Sequence, residues 1–375
     1  MLASQVIDKN GELGVYELPD PVAGPGEAVV AVEAAGLAPG AFSLLRMGAV
    51  PILPTTFGHE IAGTVVSVGD EARTDLVGRR VRVHPLLSCG VCDYCTTDRE
   101  MMCAQNAMIG HAVFGPEAMP RYSRYHDGGL AQQVLVPVDN LDLLPDKVDA
   151  ELGAKAHDFA NAVRALKLAE TGPQAVIIVT AATGAMGVAT IAIAREFGVR
   201  QIIAVGRDAD RLAQVVDLDP DLVTPLVLGD DDTAQSVAGR IRAIAPAGAH
   251  AAIDYLPGGK GTSFIFGGLR TGSRIVHMGV NPEPFVIPPA AFSIHCISFI
   301  GTRNGTRKDA HDALRLLAAD PDRYRRLITH RLALDEAHLA RDNFSSRAEP
   351  MWMAVVNPGR LAGTVKADEN RGDAS

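Results

Sequence analysis

Over the first 150 residues the apolar positions fall in short alternating or valine-rich runs, at Glu27 to Glu33, Thr64 to Val68, Arg80 to His84 and Ala131 to Pro137. Glycine- and proline-rich turns separate them, among them Asp127-Gly128-Gly129, so this part predicts a compact, mostly β domain. From about Ala150 the pattern changes. Glu151 to Ala169 is alanine- and leucine-rich and predicts a helix, which Thr171-Gly172-Pro173 ends. Ala175 to Thr180 is a continuous apolar run of the kind buried in parallel sheets. A helix from Gly184 to Phe197 follows, then strands at Gln201 to Val205, Ala251 to Tyr255 and Arg274 to Met278. Such alternation predicts an α/β fold with a doubly wound parallel sheet. A helix at Lys308 to Ala319 and a closing strand at Ala362 to Lys366 complete the expected elements.

At 375 residues, 47% hydrophobic and 21% charged, the chain can form two domains with substantial cores. Its net charge of −9, with no lysine or arginine block, gives no footing for nucleic acid or an anionic membrane. The N-terminus has no basic, apolar leader pattern, and no apolar run approaches the roughly 20 residues that span a bilayer. A cytoplasmic protein is expected.

Four of the five cysteines, Cys89, Cys92, Cys95 and Cys103, form the run Cys-x2-Cys-x2-Cys-x7-Cys. In a reducing compartment this spacing lets one loop wrap four thiolates around a tetrahedral structural zinc. The fifth, Cys296, lies in the apolar run Phe292 to Ile300 and is expected to be a buried, inert thiol.

Between the first apolar strand of the second part and its helix lies Ala181-Ala182-Thr183-Gly184-Ala185-Met186-Gly187, a relaxed glycine fingerprint. Small residues there let the backbone turn tightly and bring helix N-terminal amides to a pyrophosphate. Thr180, Ala182, Thr183, Gly184, Ala185, Met186 and Gly187 are therefore candidate dinucleotide contacts. The second strand ends in Gly206-Arg207, where a carboxylate would otherwise meet the ribose hydroxyls. With Gly206 in that position, and with Arg207 and Arg211 as cations for a 2′-phosphate, NADP(H) is the expected cofactor.

Taken together, Gly58-His59-Glu60 with Gly63, the cysteine lobe, Gly128-Gly129-Leu130-Ala131, the Ala181 to Gly187 loop and Ala362-Gly363-Thr364-Val365 resemble a medium-chain dehydrogenase/reductase of the zinc-containing alcohol dehydrogenase type. The resemblance covers nearly the whole chain. It implies a GroES-like, mostly β catalytic domain from residues 1–160 and 300–375, a Rossmann domain at 161–299, and a homodimer or homotetramer. It also implies a catalytic zinc, whose ligands in the family are an N-terminal cysteine, the histidine of the Gly-His-Glu motif and a cysteine or acid before the cofactor domain. His59 matches the second and Asp158 the third. The first is missing, because Gly36-Leu37-Ala38-Pro39-Gly40-Ala41 stands where Gly-x-Cys-x-Ser/Thr-Asp is expected, with Ala38 lying 21 residues before His59.

A side chain without a lone pair cannot bind zinc, and a catalytic zinc needs about three protein ligands. The leading expectation is an NADPH-dependent reductase of small molecules that works without a catalytic zinc on an activated C=C, C=N or C=O bond, with His59 and Asp158 in the site. One alternative is a zinc-dependent alcohol dehydrogenase with the unusual ligands His59, Asp158 and Glu60. Another is a non-redox lyase, isomerase or cofactor-binding protein on the same fold. His84, His111 and Arg46 are set aside as surface or hydrogen-bonded residues, and Gln105 to Asp127 as a segment that could shape a substrate pocket.

Overall fold

The computed structural model describes residues 1–69, 71–256, 260–280 and 283–363. The chain divides into two compact units, Met1–His157 with the chain from Leu317 onward, and Asp158–Leu316. These limits differ from those drawn at 160 and 300. The strand Ser298–Gly301 pairs within the second unit, and the helix Arg307–Ala319 falls largely inside it.

The first unit is built on a seven-stranded sheet in the order Leu141–Leu143, Arg80–Val83, Glu60–Val68, Glu27–Gly36, Met353–Asn357, Ile328–Ala333, with Gln133–Pro137 also paired on Glu27–Gly36. The central strand Glu27–Gly36 is the longest, and its valines and alanines are almost all buried, which suits a strand paired on both sides. Val30, Ile61, Val83, Val134 and Val356 meet in one core. The C-terminal strand that completes this sheet is Met353–Asn357, in parallel with Ile328–Ala333. No strand covers Ala362 and Gly363, and the rest of the expected closing strand, with Thr364 and Val365, lies outside the described residues.

The second unit holds six parallel strands: β1 (Ala175–Val179), β2 (Val199–Gly206), β3 (Val223–Val227), β4 (Ala249–Asp254), β5 (Leu269–His277) and β6 (Ser298–Gly301). Their order, β3-β2-β1-β4-β5-β6, is the doubly wound one, with strand order reversing between β1 and β4. Val176, Ile178, Ile203, Val205 and Ile275 share a core with Ile241 of the helix Ala234–Ile244. The helix after β1 is α-helical from Ala185 to Ile193 and tightens to a 3-10 turn over Ala194–Phe197, with Gly198 in the left-handed region closing it.

Cys296 is a correction. It is exposed, because it ends the helix Pro289–His295 in the left-handed region instead of continuing an apolar strand, and His295 and Ile294 beside it face outward. No helix among the described residues is long and apolar enough to cross a membrane.

Candidate active site and metal lobe

The cysteine lobe needs little rearrangement to take a metal. The ligand atoms of Cys89, Cys92, Cys95 and Cys103 all lie within 4.8 Å of one another. Sγ–Sγ separations are 3.9 Å for Cys89–Cys95 and 3.6 Å for Cys92–Cys95. A tetrahedron with Zn–S bonds of about 2.3 Å has edges of about 3.8 Å. Backbone amides point at the sulfurs: Cys92 N–H donates to Cys89 Sγ, and the amides of Cys89 and Gln105 donate to Cys103 Sγ. Amide hydrogen bonds from Val91 and Cys92 bring the Cys89 thiol down to about 6, while burial pushes Cys95 up to about 12 and raises Cys103, so a bound cation would have to draw those two into the thiolate form. These residues fit a structural zinc.

His59 is positioned by two sequence motifs that the fold brings together. Gly58 has φ +100°, open only to glycine in practice, and its carbonyl accepts from Gly129 N–H at 2.7 Å while Leu130 N–H bonds Phe57 O at 2.9 Å. His59 thus enters the strand Glu60–Val68 with its ring buried. Two further imidazoles pack edge-on against it: His111 at 4.5 Å and His157 at 4.8 Å between ring centroids. Burial, then the proximity of His111, His157 and Lys155, holds His59 well below the usual imidazole range. Burial brings His111 down to about 4, and burial followed by Arg82 and His84 depresses His157. At neutral pH all three rings are uncharged.

Glu60 is held differently. Its carboxylate accepts from Lys155 Nζ at 2.5 Å, and both groups are at most 2% exposed. The absence of a side chain at Gly36, paired with Glu60 across the sheet, makes the room: a β-carbon there would overlap the carboxylate.

The catalytic-zinc ligand set that the resemblance implies is incomplete in these residues. Ala38, at the start of the helix Pro39–Arg46, has no donor atom, while Glu60 has Oε2 held by the Lys155 ammonium and Oε1 3.9 Å from His59 Nε2. Among the described residues only the cysteine lobe brings three or more ligand atoms of His, Cys, Asp or Glu within 4.8 Å of one another.

Asp158, paired with His59 on the sequence, is buried and belongs to the second unit, where its charge reaches Tyr255. The residues that the structure puts on His59 are His111 and His157. His157 adjoins Asp158 in the helix Ala150–Leu168, whose turns from Leu152 to Val163 are buried all round. Such a helix has no polar face from which to decide between neighbours. His111 and His84 are buried and not surface residues, whereas Arg46 is exposed. In the segment Gln105 to Asp127, Tyr122 is fully buried and donates to His111 O, Tyr125 donates to Glu27, and His126 bonds Thr55.

In the second unit the loop after β1 turns through Ala181 at φ +45°, a conformation that costs a non-glycine residue roughly 1–2 kcal/mol. Gly184 then caps the helix Ala185–Ile193 without a side-chain hydrogen bond, which leaves the first-turn amides, including those of Ala185, Met186 and Gly187, without a side-chain cap. Ala182 is buried and its amide reaches Val205 O across β2. Thr183 is half-buried. Thr180 is turned inward: its hydroxyl donates to Asp254, so it shapes the loop from below. Past Gly206, Arg207 is exposed, and Arg211 is paired with Asp208, the cap of the next helix, at 3.3 Å.

The arrangement has two parts: a first unit that holds a buried imidazole cluster and a cysteine lobe, and a doubly wound sheet with an uncapped helix at its first turn. The family model for the alcohol dehydrogenase GroES-like domain matches residues 24–146, and that for zinc-binding dehydrogenases matches 185–319. The chain belongs to the zinc-type medium-chain alcohol dehydrogenase-like family. It is 28% identical to an L-idonate 5-dehydrogenase of Vitis vinifera over 64% of this chain, a match spanning 62% of that enzyme's length. It is 28% identical to an NAD-dependent alcohol dehydrogenase of Sulfolobus acidocaldarius, over 91% of this chain and 96% of that one. A Sinorhizobium meliloti 1021 protein solved bound to NADP superposes with TM-score 0.79 at 25% identity, covering 95% of this chain and 99% of its own.

Proposed function

We propose that this chain is an NADP(H)-dependent oxidoreductase that reduces an activated C=C, C=N or C=O bond of a small molecule without a catalytic zinc. The observation that carries this reading is the buried Glu60–Lys155 pair, taken with Ala38 where the resemblance implies a cysteine ligand. One member of the family's zinc ligand set is absent, and the nearest substitute is already neutralised.

Bound NADPH supplies the hydride. The amides at the start of the helix Ala185–Ile193 bind the pyrophosphate, and Arg207 receives the 2′-phosphate where Gly206 presents no opposing charge. His59, kept neutral by burial and by its cationic and imidazole neighbours, acts through an N–H bond to the acceptor oxygen or nitrogen. A neutral imidazole polarises such an atom without first having to lose a charge. An acceptor that is already conjugated or cationic needs no stronger electrophile. The family likeness also leads us to propose a homodimer or homotetramer.

Three measurements test the reading. Elemental analysis of purified protein is expected to give one zinc per chain, rising toward two in Ala38→Cys; two in the unmodified protein would restore the metal-dependent alternative. Arg207→Ala is expected to weaken NADPH binding about tenfold while leaving NADH within about twofold, as befits one charge-assisted contact. Equal losses for both cofactors would remove the 2′-phosphate assignment, and failure of the protein to oxidise NADPH with any small enone or iminium would favour a non-redox role.

A further inference from the structure

The carboxyl edge of the parallel sheet carries a second buried polar constellation, centred on Asp254 at the end of β4. Asp254 is fully buried, and its carboxylate takes four hydrogen bonds. Oδ1 accepts from the Thr180 hydroxyl at 2.6 Å and from Leu256 N–H at 3.2 Å. Oδ2 accepts from the Thr262 hydroxyl at 2.5 Å and lies 2.9 Å from His277 Nδ1. Thr180 follows β1 and His277 ends β5, so the network spans the point where strand order reverses. In doubly wound sheets the ligand lies in the crevice outside that point.

An ionised carboxylate only accepts, so His277 Nδ1 must carry the hydrogen that it donates to Asp254. Carboxylate contact therefore selects the tautomer and leaves Nε2 as the ring's second polar atom. Phe299 of β6 stacks on one face of the imidazole, 5.8 Å between centroids and 27° between planes, and Phe285 packs on Phe299 in turn. One edge and one face are thus fixed, while 18% of the side chain remains exposed. A histidine needed only for packing has no call for a saturated buried carboxylate to orient it.

The direction along the sheet says which part of a ligand this ring meets. Arg207 follows β2, on one side of β1, and His277 ends β5, on the other side beyond β4. A dinucleotide whose pyrophosphate sits at the loop after β1 extends its adenosine half over β2 and its nicotinamide half over β4 and β5. We propose that His277 is a cofactor-binding residue that hydrogen-bonds the nicotinamide ribose or carboxamide through Nε2, with Asp254 as its positioning residue. This rests on the dinucleotide reading given above.

The test compares whole cofactor with a fragment. In titrations of the full-length protein, His277→Leu is expected to weaken NADPH about fivefold while adenosine 2′-phosphate 5′-diphosphate, which lacks nicotinamide and its ribose, binds within about twofold of the unmodified protein. His277→Gln, whose amide oxygen can accept a hydrogen bond in the place of Nε2, is expected to recover most of the loss. Long-range proton–nitrogen NMR of the ring is expected to show hydrogen on Nδ1, and on Nε2 in Asp254→Asn, a readout that packing alone would not move. Equal weakening of cofactor and fragment, or no change in either, overturns the proposal. Failure of the unmodified protein to bind NADPH or NADH overturns the dinucleotide reading itself and is recognised before any variant is made.

Discussion

Lys155→Met is expected to lower the free energy of unfolding by about 3–5 kcal/mol, the largest effect of any single substitution considered for this chain. The reason is what it leaves behind. Glu60 and Lys155 are at most 2% exposed and meet at 2.5 Å, with Gly36 against the carboxylate. Removal of the ammonium strands a carboxylate in a low-dielectric site, where it takes up a proton instead of remaining charged. The double variant Glu60→Gln with Lys155→Met removes both charges at nearly constant volume and is expected to recover most of the loss. Urea unfolding of the single and double variants checks this; an equal loss in both would show that packing, not charge, governs the site.

The second large effect is the dependence of stability on acid. His111 has its ordinary value of 6.5 in the unfolded chain and is held near 4 in the fold by burial. The unfolded state therefore binds more protons between those limits. Stability from this group is complete above 6.5 and falls as pH drops toward 4, by about 2 kcal/mol at pH 5 from His111 alone. His59 and His157 are depressed in the same direction and steepen the slope. Glu27, held at about 2 first by its Arg124 hydrogen bond, adds to the loss as pH falls below its unfolded value of 4.5. Urea midpoints at pH 7.5 and 5 are expected to differ strongly, and the difference should shrink in His111→Gln. Zinc release in acid acts in the same sense, so the informative quantity is the slope of the variant against that of the unmodified protein, both with the same cysteine lobe.

Where the sequence was legible, one local rule set each element. The β1 run, the small-residue loop and the helix after it each follow from composition over a few residues, and the structure has them within a residue or two at their starts. The cysteine lobe is legible for the same reason, since all its ligands sit in one stretch. The imidazole cluster was not, because His59, His111 and His157 come from three separate segments, and only the folded first unit brings them together. Lys155 and His157 lie on a helix buried on every side, where periodicity carries no information about direction. The Asp254–His277 pair was hidden by its surroundings: both residues end strands that read as plain apolar runs.

The cysteine lobe closes on itself over a short span of chain, and this has a bearing on how the protein comes apart. The entropy of gathering four thiolates from neighbouring positions is small, so the lobe can form and dissolve as a foldon of its own. Capture of the metal by a chelator would then open this appendage while the seven-stranded sheet keeps its amides protected from hydrogen exchange. The protein could lose its ion without losing its architecture.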